Sequence, residues 1–335
     1  MYLAALILTV AAVPTSSVAT VAPIERGKSV NQWLAGSAVG FTTAANLQSF
    51  ATNQQLTHNP AVTSAFVVTP RVNLLKGFAL TGRFGFSYDW TNNDFTKTEH
   101  EPLLLDTSVG VNYLGLPALP WGSRIGLSAG FILPTSKISQ ARTMVVTPNA
   151  SVQMWHVFSG VLGGRLITSA SGGYQHAFYR FTTPGVVDDL PYQRQCFGND
   201  VTCVEQASGL ANISDVLSWT VAVVGQWGMF SPGAAFGLQH QFPHAFDGIS
   251  VPEDVDPSTI RVASSFNLWT DVFLPAGVTA RVGYTFNRDV IAGDGRFGNV
   301  FYDRYQDGQL YVTLRVAPFA EATPLRAQKS DEEEE

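Results

Sequence analysis

Phe78-Ala79-Leu80-Thr81-Gly82-Arg83-Phe84-Gly85-Phe86-Ser87-Tyr88-Asp89 carries the pattern that decides the fold of this chain. Side chains of an extended segment point alternately to its two faces. Phe78, Leu80, Phe84, Phe86 and Tyr88 therefore share one face, and Thr81, Arg83, Gly85, Ser87 and Asp89 the other. Alternation by itself also describes a soluble sheet with one wet side. The residue types separate the two cases. The apolar face is large and ends in tyrosine near a loop boundary. The opposite face mixes small residues with arginine, where a soluble sandwich would present lysine and glutamate.

The same contrast recurs along the chain. Ile125, Leu127, Ala129, Phe131 and Leu133 oppose Arg124, Gly126, Ser128 and Gly130. Val278, Ala280, Val282, Tyr284 and Phe286 oppose Thr279, Arg281, Gly283, Thr285 and Asn287. Leu105, Val109 and Val111 oppose Asp106, Ser108 and Asn112, and Leu310, Val312, Leu314 and Val316 oppose Gln309, Tyr311, Thr313 and Arg315. An arginine or lysine on a lipid-facing wall at mid-membrane costs about 2–4 kcal/mol. The arginines must then face an interior, which predicts an all-β, antiparallel, up-and-down transmembrane barrel.

Segments bounded by turn signals number twelve, at 33–42, 61–73, 78–90, 102–113, 123–133, 144–158, 164–181, 215–228, 233–242, 260–273, 278–288 and 307–318. Counts of ten or fourteen stay open. Short turns such as Leu74-Leu75-Lys76-Gly77, Met229-Phe230-Ser231-Pro232 and Leu274-Pro275-Ala276-Gly277 alternate strictly with long polar stretches around 43–60, 182–214, 243–259 and 289–306. Short turns at one end and long loops at the other are the habit of barrels in an outer membrane, and an even strand count returns both termini to the periplasm. The seventh segment, through Ser169-Ala170-Ser171-Gly172-Gly173, alternates weakly and predicts a bulge or kink.

Composition agrees. Charged residues make up 14% of the 335 residues, against about 25% in soluble domains, while aromatics reach 12%. Beyond the first segment no run of eighteen or more apolar residues occurs, which argues against a helical membrane protein. A net charge of −6 argues against a nucleic-acid partner.

Residues 1–19 read as an export signal: Leu3–Val13 is apolar, Pro14 breaks the run, and Ser17-Val18-Ala19 offers a small-x-small cleavage site before Thr20. Nothing basic precedes the apolar core, and the bland alternative is a buried helix. No lipobox cysteine accompanies the site, so no lipid anchor is expected. Residues 20–32 then form a periplasmic segment, 33–318 the barrel, and 319–335 a solvated acidic tail ending Asp331-Glu332-Glu333-Glu334-Glu335, whose like charges repel. Cys196 and Cys203, the two cysteines, sit in one long loop and predict a local structural disulfide in an exported protein rather than a metal site.

The expected lumen set is Arg83, Asp89, Asp106, Arg124, Arg261, Asp271, Arg281 and Arg315, with Arg71 beside it. These charges either pair to brace a narrow barrel or line a polar conduit whose basic wall favours anions. Catalysis has weaker support. His176, His240 and His156 lack a neighbouring nucleophile pattern and read as interfacial polar residues, so neither an enzyme nor a cofactor nor a metal is expected.

Taken with the signal, the amphipathic strands, the short turns and the long loops, the chain resembles bacterial outer-membrane β-barrel proteins as a class. Gly308-Gln309-Leu310-Tyr311-Val312-Thr313-Leu314-Arg315-Val316 looks like the assembly signal that such barrels present to their insertion machinery. Asn59-Pro60-Ala61 is similar to a tripeptide near the start of long-chain fatty-acid transporters. The resemblance implies an integral outer-membrane location, with lipids and, during insertion, the assembly machinery as partners. The first expectation is a passive channel or transporter for small polar solutes, anions included. The second is a closed structural or surface-recognition barrel acting through its loops.

Overall fold

The computed structural model describes residues 30–50, 60–75, 77–91, 100–182, 212–244, 260–290, 299, 301 and 308–319. Twelve strands close into a single antiparallel barrel. They are β1 (Ala38–Asn46), β2 (Val62–Thr69, continued as Arg71–Leu75), β3 (Phe78–Asp89), β4 (Pro102–Leu104 and Thr107–Tyr113), β5 (Arg124–Leu133) and β6 (Met144–Val161). There follow β7 (Gly164–His176, continued as Phe178–Tyr179), β8 (Ile213–Gln226), β9 (Phe230–Pro243), β10 (Arg261–Phe273), β11 (Val278–Asp289) and β12 (Gly308–Val316). Each strand pairs with the next, and β12 returns to β1 with Phe41 opposite Leu314 and Thr42 opposite Thr313. Among the described residues two short α-helical pieces accompany them, α1 (Val30–Trp33) and α2 (Lys137–Ala141). No helix among the described residues is long and apolar enough to cross a membrane.

Register and exposure define the two faces. Phe41 lies opposite Phe66, and Phe66 opposite Phe86, so these aromatics share the outer wall. Val312, Val282 and Val221 on the same wall expose 59%, 58% and 57% of their surface. Large apolar side chains continue around the barrel, including Phe84, Phe131, Trp219 and Leu268. A water-soluble monomer does not carry an apolar surface on that scale. Hydrocarbon is its matching solvent, and closure leaves no strand edge unpaired in it.

The end joined by short connections is built from tight turns. Between β6 and β7 the turn is Leu162-Gly163, with φ of 51° and 76°, the left-handed pair that a two-residue hairpin demands. Between β8 and β9, Trp227 and Phe230 exchange backbone hydrogen bonds around Gly228, whose φ is 58°. That places the turn two residues before the expected Met229-Phe230-Ser231-Pro232, and β9 consequently starts at Phe230 with Pro232 inside it.

Three further expectations are corrected. β1 starts at Ala38 rather than 33, because Gly36 turns the chain (φ 93°) and Ser37 is tied to the backbone of Arg71. The expected bulge in 169–173 is absent: β7 keeps unbroken register with β8 through Arg165–His176. Gly172 instead makes room for the Trp219 indole, which lies 3.2 Å from where its Cβ would be. A bulge does occur at Leu105–Asp106, where β3 pairs first with one and then with the other half of β4 in shifted register. Finally, the length alternation is not strict: connection 114–123 at the short-turn end matches 134–143 at the other.

A charge placed on the outer wall tests this assignment. Val221→Arg is expected to lower folding stability in lipid vesicles by about 2–4 kcal/mol, read by urea titration, whereas Val221→Leu is expected to leave it within about 0.5 kcal/mol.

Candidate functional site

The inner wall is where the chemistry-bearing residues gather. By register, Arg71, Arg83, Asp89, Arg124, Arg261, Asp271, Arg281 and Arg315 lie on the face opposite the large apolar side chains, and Asp106 stands at the bulge of β4 on the same side. Arg165 joins them, opposite Ser159 and Gln226. Sequence reading missed it because the small residues of β7 hide the alternation; its charge next to apolar Leu166 was the available signal.

Asp271 and Arg281 face each other directly across β10 and β11. Arg281 donates from Nε to Oδ1 at 2.6 Å and from Nη2 to Oδ2 at 2.9 Å, a two-pronged, charge-assisted pair. Its Cζ stands 5.1 Å from the centre of the Trp269 ring, within cation–π range. Trp269 fits because Gly233 lies opposite; a Cβ there would come within 2.4 Å of the indole. Tyr311 donates to Asn267 Oδ1 at 2.9 Å in the same cluster. Arg71 donates from Nε to Asn73 Oδ1 at 3.0 Å.

The acidic residues at the long-connection end have structural tasks. Asp89 Oδ1 accepts from the backbone N–H and the hydroxyl of Thr91, turning the chain after β3. Asp106 accepts from Ser136 N–H at 2.9 Å and from the Ser139 hydroxyl. It thereby holds α2, whose N-cap is Ser136, against the rim. Lys137 of α2 pairs with Glu101. Arg261 opens β10 at the same end, where Ala263 faces Asp289.

Charge is thus sorted along the barrel axis. Among the described inward residues near the short turns, Arg71, Arg124, Arg165, Arg281 and Arg315 stand against Asp271 alone. Acids and bases are mixed at the opposite end.

The three histidines weighed from the sequence lie elsewhere. His176 Nδ1 is 2.7 Å from Asp215 Oδ1, which also accepts from Tyr174, all three on the outer face near the long connections. His240 is outward too, opposite Leu217 and Val262. His156 Nδ1 is 3.1 Å from Ser123 Oγ on the outer face, with no carboxylate partner among the described residues. An apolar recess of about 490 Å³ bordered by Met154, Ala170, Val221, Ala234 and Phe236 also belongs to the outer wall. Among the described residues no group of three or more His, Cys, Asp or Glu could hold a metal. Cys196 and Cys203, the expected signal at 1–19 and the acidic tail beyond Phe319 lie outside the described residues.

Removing one partner of a shielded ion pair leaves the other charge uncompensated and costs about 3–5 kcal/mol. Asp271→Asn is expected to lose stability on that scale in urea titrations, and the double variant Asp271→Asn, Arg281→Gln to regain most of it.

No family model matches this chain, and no curated protein sequence matches it either. Solved structures do. The chain is similar to an outer-membrane channel from Pseudomonas putida F1, with a TM-score of 0.52 and 7% identity over 88% of this chain and 99% of that one. It is also similar to the NanC porin, at a TM-score of 0.44 and 10% identity over 83% of this chain and 98% of the porin. A third likeness is to the beta domain of the Bordetella autotransporter BrkA, with a TM-score of 0.41 and 10% identity over 85% and 99% of the two chains. At such identities the likeness is one of fold: this chain has the fold of the bacterial outer-membrane β-barrels.

Proposed function

We propose that the protein is an outer-membrane channel for small polar solutes, with a preference for anions. One observation carries this reading: inward Arg83 and Arg315 have no hydrogen bond or ion pair among the described residues, whereas Arg281 has Asp271. Charges that only brace a barrel would be paired in that way. Unpaired guanidinium groups keep their donors for acceptors that pass. Twelve strands also enclose a wider interior than eight, whose side chains just fill the space.

On this reading both termini lie in the periplasm, the long connections face outward from the cell, and lipids surround the apolar wall. Residues 1–19 serve export, β12 engages the assembly machinery, and a Cys196–Cys203 disulfide stiffens a loop at the outer mouth. The bulk of Trp269 and Tyr311 on the inner wall favours a second reading, a closed barrel that acts through its loops.

Single-channel recording in planar lipid bilayers separates the two. The first reading expects discrete conductance steps and a reversal potential in a salt gradient that reports anion preference. Arg83→Glu should move that potential toward cation preference, and Arg281→Glu should do the same. A folded barrel without steps would overturn the channel and favour the loop-borne function.

A further inference from the structure

We propose that Arg281 and Arg315, with Trp269 beside them, form a binding site for a small oxyanion, a carboxylate or phosphate group, at the short-turn mouth of the barrel. This deepens the anion-preferring channel reading and rests on it for its role in transport, though not for binding itself.

Arg281 pairs with Thr313 across β11 and β12, and Arg315 with Thr279, so the two arginines are diagonal neighbours. That relation separates the two residues by about 7–8 Å, and their Cβ atoms by somewhat less. Asp271 uses both its oxygens on Arg281. By register Asp271 stands two strands from Arg315, with Arg281 between them. One carboxylate therefore serves two guanidinium groups, and Arg315 makes no hydrogen bond or ion pair among the described residues.

Space and unmet donors point the same way. On its other side Arg315 faces Gly40, where a Cβ would meet nothing nearer than a backbone oxygen at 3.9 Å. The inner wall is thus left open at Gly40, opposite the Arg315 backbone. A fork of parallel N–H donors matches the oxygens of a carboxylate or phosphate, which a spherical halide cannot reproduce. Trp269 is only 7% exposed, and its Nε1, packed beside Gly233, finds no acceptor among the described residues. Its ring already lies against Arg281, so an anion drawn to the two arginines changes the electrostatics of that indole. Arg71, Arg124 and Arg165 at the same mouth add to the attracting field, and Asp271 is the one inward acid there among the described residues.

The test uses the full-length protein folded in detergent. Sodium phosphate, and separately sodium acetate, is titrated against sodium chloride of equal ionic strength while tryptophan emission is read. The chain has seven tryptophans, so Trp269→Phe isolates the contribution of one. The expected result is a saturable change specific to the oxyanions and absent in Trp269→Phe. Arg315→Gln should weaken it at least tenfold, and Arg315→Lys, which keeps the charge without the fork, should fall between. His240→Gln on the outer wall should titrate like the parent. Circular dichroism checks that each variant is folded. Identical responses to phosphate and chloride, or unchanged affinity in folded Arg315→Gln, would overturn the site. Phosphate binding by a barrel that shows no conductance would overturn the channel and leave the site standing. Anion-selective conductance without oxyanion binding would do the reverse.

Discussion

Everything in this structure depends on the seam between β1 and β12. In hydrocarbon an unpaired backbone N–H or C=O costs several kcal/mol, so a sheet can cross a membrane only when it has no edge. The ladder from Val39–Val316 to Asn46–Gln309 removes the last edge. On the inner face, Thr42 and Thr313 add a hydroxyl–hydroxyl contact of 2.8 Å across that seam. Once the ring is closed, the period of two along each strand does the rest. Every second side chain meets lipid and must be apolar; every other one meets the interior and is free to be small, polar or charged.

That freedom is spent unevenly. At the long-connection end, acids are tied into local structure: Asp89 turns the chain and Asp106 holds α2. At the short-turn end the charges are mostly arginine, and one pair, Asp271–Arg281, is well matched. A lumen sorted in this way has a field along its axis rather than only across it. Gly40 leaves the inner wall open opposite Arg315, while Gly233 is spent on seating Trp269. Channel behaviour, if the interior conducts, would arise from this contrast between crowded and open sectors of the wall.

Much of the architecture was legible in the chain. The alternation in Phe78–Asp89 and Val278–Asp289 named both faces correctly because the apolar residues there are large and the polar ones are not. Twelve strands emerged with boundaries mostly within a few residues. The failures have physical causes. Around Gly36 and Gly228, backbone conformations available to glycine moved a strand start and a turn without changing hydrophobicity. In β7, small residues on both faces suggested a bulge and concealed Arg165, although regular pairing with β6 and β8 was enough to keep the strand straight. The bulge at Asp106 left no trace in the pattern, because the extra residue is set by what the side chain holds, the start of α2. For the charged residues, sequence supplied the face but not the pairing. That Asp271 reaches Arg281 and leaves Arg315 alone depends on the register of three strands.

The central claim is that β12 separates lipid from a wet, positively charged interior. The most direct measurement is a single-cysteine scan of residues 309–316 in the membrane-folded protein, with Cys196 and Cys203 replaced by serine. Each position would be probed with an anionic, membrane-impermeant thiol reagent and with a lipid-soluble one. The expected result is that 309, 311, 313 and 315 react with the anionic reagent, while 310, 312, 314 and 316 react with the lipid-soluble one. Reaction of the even-numbered set with the anionic reagent, or protection of the odd-numbered set from it, would contradict the assignment of the two faces and the open interior built on it.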